Sequence, residues 1–94
     1  MYKFTNNVYA IANLHTKEIV APFKTPYGVW FRAFYDTKKG ANLALTKLKE
    51  TVEYLKNKCV DEASEQRVKE RYGFTKESLE GVFYVIELSK IDIL

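Results

Sequence analysis

The sequence predicts a small α+β domain of the order βββ-α-α-β, with an antiparallel sheet packed on one long amphipathic helix. Three observations predict it. Across residues 28–59 (GVWFRAFY, then DTKK, then GANLALTKLKETVEYLKNKC) the apolar period changes from two to about 3.6, the mark of a strand passing into a helix. Two alternating segments precede that junction, and a strongly apolar one, residues 82–88 (VFYVIEL), comes near the end. A length of 94 residues, 47% of them hydrophobic, suits a single domain over 1–94 with a modest core.

The first strand is expected over 8–14 (VYAIANL), with Val8, Ala10, Ala12 and Leu14 on one face and Tyr9, Ile11 and Asn13 on the other. Residues 15–18 (HTKE) make a polar break of hairpin length. A second strand follows over 19–24, with Ile19, Ala21 and Phe23 on one face. Pro22 removes a ladder donor, so this strand belongs at an edge or carries a bulge. Residues 25–28 (TPYG) are turn chemistry, and 29–35 is the third strand. A three-stranded meander is the simplest arrangement.

Asp36 or Thr37 caps the long helix by accepting a bond from a first-turn N–H. Ala41, Ala44, Leu45, Leu48, Val52, Leu55 and Cys59 form one apolar stripe along it. Residues 61–72 (DEASEQRVKERY) form a second, far more polar surface helix, capped by Asp61 and stopped by Gly73, with Ala63, Val68 and Tyr72 as anchors. Thr75 caps a short turn that Gly81 ends. The last strand, 82–88, is apolar on both faces and is expected to be central or well covered, with 89–94 extending it.

Composition narrows the function classes. No apolar run approaches the ~20 residues of a membrane span, and the first residues do not read as a signal peptide. Cys59, the single cysteine, excludes an internal disulfide and favours a reducing, cytoplasmic setting. Charge is polarised. Residues 1–49 carry eight Lys or Arg against Glu18 and Asp36, whereas residues 50–94 carry seven basic and ten acidic residues. Nine of the fourteen aromatics lie between positions 2 and 35, so the first half is both basic and aromatic.

No catalytic constellation emerges. His15, the only histidine, lacks partners for metal binding or catalysis and sits in a turn. Cys59 lies on the apolar stripe, as a buried small hydrophobe would. Glu62, Glu65 and Glu70 read as a solvated face. Lys38 and Lys39 at the helix N-terminus are a candidate anion site, with ordinary surface lysines the simpler reading. Accordingly no enzyme activity, metal or cofactor is expected.

The best candidate site is a sheet face. If Val29, Phe31, Ala33 and Tyr35 pack on the long helix, then Trp30, Arg32 and Phe34 face away, joined by Tyr9, Ile11, Val20 and Lys24. Tyr9, Lys24, Trp30, Arg32 and Phe34 are the candidate contact residues. An aromatic, basic face suits a protein interface, where Trp, Tyr and Arg serve as anchors. It also suits stacking on nucleic-acid bases with phosphate contact. Other possibilities are coverage by the C-terminal elements or by a second copy in a homodimer. The polar helix 61–72 is a second candidate surface.

Two resemblances bear on function. The segment VWFRAFYDTKKGANLALTKL resembles the last strand and helix start of the AP2-type DNA-binding domain of plants, through Trp30, Phe34, Asp36-Thr37, Ala41 and Ala44. That family has a three-stranded sheet followed by one long helix. Its dense arginine and tryptophan array is not matched here, where only Lys3, Lys17, Lys24 and Arg32 are available, so its DNA-reading residues do not carry over. The chain also resembles small accessory proteins of bacteriophages, in which a hairpin leads through a Thr-capped junction to an Ala/Leu helix. Phe34-Tyr35-Asp36-Thr37, then Ala41, Ala44, Leu45 and Leu48, carry that likeness. It implies a non-catalytic protein that binds and inhibits a host or defence protein in the host cytoplasm. The alternatives are nucleic-acid binding through the basic, aromatic half, and sequestration of a nucleotide-like ligand in an oligomer, with Arg32 and Lys38 or Lys39 on its phosphates.

Overall fold

A computed structural model describes residues 8–88. Its centre is β1 (Val8–Asn13), which pairs antiparallel with β2 (Glu18–Ile19) on one side and β5 (Phe83–Leu88) on the other. Register runs from Val8 opposite Leu88 to Asn13 opposite Phe83, and Ala12 faces Ile19 across the β2 ladder. A separate two-stranded sheet joins β3 (Phe23–Lys24) to β4 (Trp30–Phe31). Helix α1 (Lys38–Lys58) lies against β1 and β5, and α2 (Glu62–Tyr72) and α3 (Lys76–Leu79) pack on α1. The α+β class and the sheet-on-helix layering agree with the sequence reading. Both pairings of the expected meander form, but in two separate sheets, and β5 joins β1.

The expected second strand splits into β2 and β3. Val20 turns inward and still donates its N–H to the Ile11 carbonyl at 2.9 Å, but Ala21 and Pro22 are exposed and unladdered. Pro22 has no N–H with which to continue the pairing. The expected third strand contributes only Trp30 and Phe31 to a ladder, plus a single bridge between Tyr35 and Tyr9. The central strand is also corrected. Among the described residues β5 lies at the sheet edge and β1 has a neighbour on each side. β1 is buried on both faces, with Ala10, Ile11, Ala12 and Asn13 all inside. The proposed extension over 89–94 lies outside the described residues.

Thr37, not Asp36, caps α1. Its extended backbone presents Oγ1 to the Gly40 N–H at 3.0 Å. Ala41, Leu48, Val52 and Leu55 are buried along the predicted stripe, with Ala44, Leu45 and Cys59 half-buried. Full burial of a side chain such as Leu48 stabilises by about 2 kcal/mol. Thr51 is an unpredicted core member; its hydroxyl donates to the Lys47 carbonyl at 2.9 Å, which makes its burial affordable.

Asp61 caps α2 and Gly73, at φ 81°, ends it. The expected anchor Ala63 is exposed, and Ser64 takes its place. Ser64 turns inward because it closes a capping box: its N–H donates to Asp61 Oδ1 at 2.8 Å, while its Oγ accepts the Asp61 and Val60 N–H groups at 3.0 Å each. Thr75 and Ser78 repeat the device on α3. The core gathers Ile11, Phe23, Phe31, Leu48, Leu55, Val68 and Phe74 into one cluster. Phe23 is its aromatic hub, stacked on Phe31 at 5.3 Å and meeting Phe74 edge-on at 5.1 Å.

Candidate functional site: an aromatic groove between hairpin and helix

The β3–β4 hairpin carries the site. Its ladder pairs Phe23 with Phe31 and Lys24 with Trp30. Period-two alternation therefore sends the two phenylalanines into the core and leaves Lys24 and Trp30 outside. The connecting loop is a β-turn, with Gly28 N–H donating to the Thr25 carbonyl at 3.0 Å and Thr25 N–H to the Val29 carbonyl at 2.8 Å. Pro26 presets the turn, and Gly28 supplies the left-handed φ of 84° that a side-chain-bearing residue would resist. Tyr27 is 70%, Val29 64% and Trp30 66% exposed. The hairpin thus presents three large apolar side chains to solvent, against the usual direction of burial.

Beyond β4 the chain returns to the main sheet. The Arg32 N–H donates to Tyr35 Oη at 3.3 Å, and Tyr35 and Tyr9 exchange backbone bonds at 2.7 and 2.8 Å. Burial pushes the Tyr35 phenol above its ordinary value, against the smaller opposing pull of the Arg32 N–H and charge. The segment thus stands the hairpin beside α1 with a groove of about 290 Å³ between them. Tyr27, Val29, Trp30 and Arg32 form one wall. Ala44, Lys47, Glu50 and Thr51 of α1 form the other, with Phe31 and Tyr35 below. Ala44 keeps the middle of the helix wall low. Arg32, Lys47 and Glu50 set charges on the rim, and none of the three is in an ion pair among the described residues.

The candidate residues are brought together only in part. Trp30 and Arg32 share the groove. Phe34 is exposed but outside its lining, and Lys24 lines a different hollow with Arg71 and Tyr72. Tyr9 is half-buried on the central strand. The single outer face imagined for these residues is not formed, because Ile11 and Val20, expected on it, are 1% and 8% exposed. Ile11 belongs to the core cluster that includes Leu48 of α1, so the helix covers the face that was expected to be open. Val29, expected inside, stands out on the hairpin wall.

Lys38 and Lys39 occupy the exposed first turn of α1, outside the groove lining. His15 sits far along the chain from any thiol and meets Glu77 at 3.3 Å on the surface. Cys59 is half-buried at the end of α1; burial, then the nearby Glu65 carboxylate, pushes its thiol up. Among the described residues no group of three or more His, Cys, Asp or Glu could hold a metal ion, and no helix is long and apolar enough to cross a membrane. The groove lining offers two phenols, an indole, the Thr25 and Thr51 hydroxyls, the Arg32 and Lys47 cations and the Glu50 carboxylate.

Tyr27, Lys47 and Glu50 were not anticipated. Tyr27 was legible as the tip of a turn, and Lys47 lies one position before the stripe residue Leu48, but only the hairpin's lean towards α1 makes them one wall and its opposite. No protein-family model matches the chain, and no curated protein or solved structure matches it.

Proposed function

We propose that the protein is a non-catalytic binding protein that engages a protein partner through the β3–β4 hairpin and its groove against α1. The observation that carries this reading is the outward cluster of Tyr27, Val29 and Trp30 on a hairpin whose other face, Phe23 and Phe31, is locked in the core. Aromatic anchors beside an arginine, held on a rigid base, are the composition of interface hot spots. A groove of this size takes one or two apolar side chains of a partner, with Arg32, Lys47 and Glu50 fixing orientation at the rim. The resemblance to phage accessory proteins supports the further reading that the partner is a host or defence protein of the cytoplasm and that binding inhibits it.

Immobilised protein exposed to nuclease-treated host extract tests this. Wild type should retain a partner that Trp30→Ala and Arg32→Ala lose while keeping a native fold. Retention seen only from extract not treated with nuclease, and falling steeply with salt, would sink the protein-partner reading.

A further inference from the structure

A second surface of different chemistry reaches the hairpin at Lys24 of β3. Two adjoining hollows, of about 270 and 390 Å³, share Arg71 and Tyr72. The first runs between α1 and α2 and is lined by Lys58, Arg67 and Arg71 over buried Leu55 and Val68. The second continues to Lys24 on β3. Together they make a trough with four cations and no carboxylate in its lining. None of the four is in an ion pair among the described residues. Arg67 and Arg71 stand one helical turn apart, a like-charge spacing that costs an isolated helix stability. Two of the three glutamates of α2 are engaged elsewhere: Glu65 pairs with Lys76 at 3.8 Å and Glu70 accepts from Gln66 at 3.0 Å. Asp61 is committed to the Ser64 N–H at the helix cap.

We propose that this trough docks an acidic segment of the protein partner, a short stretch bearing two or more Asp or Glu side chains. It rests on the reading of the partner as a protein. Arg67 and Arg71 suit paired carboxylates because the guanidinium fork binds them in a bidentate manner, and Lys24 and Lys58 extend the positive field to either end. One observation favours an acidic protein segment over a nucleic-acid strand. Both rings of the trough already have partners, with Lys58 Nζ over the Tyr54 ring at 5.3 Å and Tyr72 edge-on to Phe23 at 6.5 Å, so a base would have to compete for them.

The test is a titration of ¹⁵N-labelled protein with a hexaglutamate peptide and, separately, with hexathymidylate at the same low salt. Shifts should centre on Lys24, Lys58, Arg67 and Arg71, with the Trp30 indole N–H and the Lys38 and Lys39 amides unmoved. The variant Arg67→Gln/Arg71→Gln, checked for a native spectrum, should bind the peptide about tenfold or more weakly. Absence of trough shifts, equal shifts at Lys38 and Lys39, or tighter binding of hexathymidylate than of the peptide at the trough would overturn the proposal. The Trp30 indole signal separates the two surfaces, because the hairpin reading fails or stands on partner loss in Trp30→Ala whatever the trough does.

Discussion

The carboxamide of Asn13 fills the space in which a side chain on residue 81 would stand. A Cβ placed on Gly81 collides with Asn13 Oδ1, Cγ and Nδ2. Asn13 cannot simply swing away. It is buried, its Nδ2 donates to the Ser78 carbonyl at 3.0 Å, and its Oδ1 accepts the His15 N–H at 2.9 Å. One side chain thus ties the end of β1, the turn after it and α3 together, and requires glycine where the chain enters β5.

Gly81→Ala should therefore destabilise by about 1–3 kcal/mol, the range for forced overpacking. The backbone at Gly81 is outside the left-handed region, so the loss arises from the collision and not from φ. Asn13→Ala should cost about 1–3 kcal/mol by leaving buried backbone groups unpaired. Chemical denaturation of the double variant checks the account. In the Asn13→Ala background the Gly81→Ala step should cost under about 1 kcal/mol, and strict additivity of the two losses would show that the contact does not constrain the fold.

Trp30 and Phe31 are neighbours with opposite duties. Phe31 is buried, stacked on Phe23 at 5.3 Å and set edge-on to Tyr35 at 6.0 Å, whereas Trp30 is exposed. Phe31→Ala should cost about 3–5 kcal/mol, and Trp30→Ala should stay within about 0.5 kcal/mol of wild type. Thermal or urea melts of the two variants measure this directly. A large loss in Trp30→Ala would mean that the hairpin packs with its faces exchanged, and the groove would lose its wall.

What the sequence disclosed follows from how local each signal is. The α1 stripe, the Asp61 cap and the Gly73 stop depend on residues three or four apart, so all were legible, and the α1 cap was narrowed to Asp36 or Thr37. Strand partnership depends on residues farther apart: the hairpin pairings of β1 with β2 and of β3 with β4 were legible, whereas the pairing of β1 with β5 was not. The apolar run of β5 suggested a central or well-covered strand, but among the described residues β1, with small Ala10 and Ala12, is the one with neighbours on both sides. Trp30 and Arg32 were legible as an unexplained aromatic and basic pair. Their partners across the groove, Lys47 and Glu50, were not, because an exposed charged residue on a helix gives no sign of what stands opposite. Likewise Lys24 and Arg71 come from halves of opposite net charge, and only the fold brings them to one trough.

Asp61 gives α2 a pH-sensitive cap. The Ser64 N–H and then the Ser64 hydroxyl hold its carboxyl below the usual carboxylate range, with a lesser contribution from the Arg67 charge. A carboxyl lowered in the folded state contributes stability that is present above its unfolded pKa of about 3.9 and is lost as pH falls through the folded value. Asp61→Asn keeps an oxygen for the Ser64 N–H but carries no charge. Wild type should therefore exceed Asp61→Asn in stability at neutral pH, and the gap should close as pH drops below about 4. Denaturation curves of both proteins across that range decide it; a gap that stays constant would remove the charge from the account of the cap.

Cys59 should be a slow thiol. Only the thiolate is nucleophilic, and burial together with the Glu65 carboxylate raises the pKa of this group above its ordinary value, against the opposing effect of Lys76. Glu65 and Lys76 also pair with each other at 3.8 Å, so removing the acid has two effects of one sign. It deletes a repulsion of the thiolate and releases a cation towards it. Alkylation of the folded protein by iodoacetamide near pH 8 should therefore run more slowly than that of an unstructured cysteine peptide. In Glu65→Gln the rate should rise and its pH midpoint should move down. Lys76→Gln should shift the midpoint up. A midpoint that ignores both substitutions would leave burial as the whole cause, and a folded-state rate equal to the peptide's would show that the end of α1 opens faster than the thiol reacts.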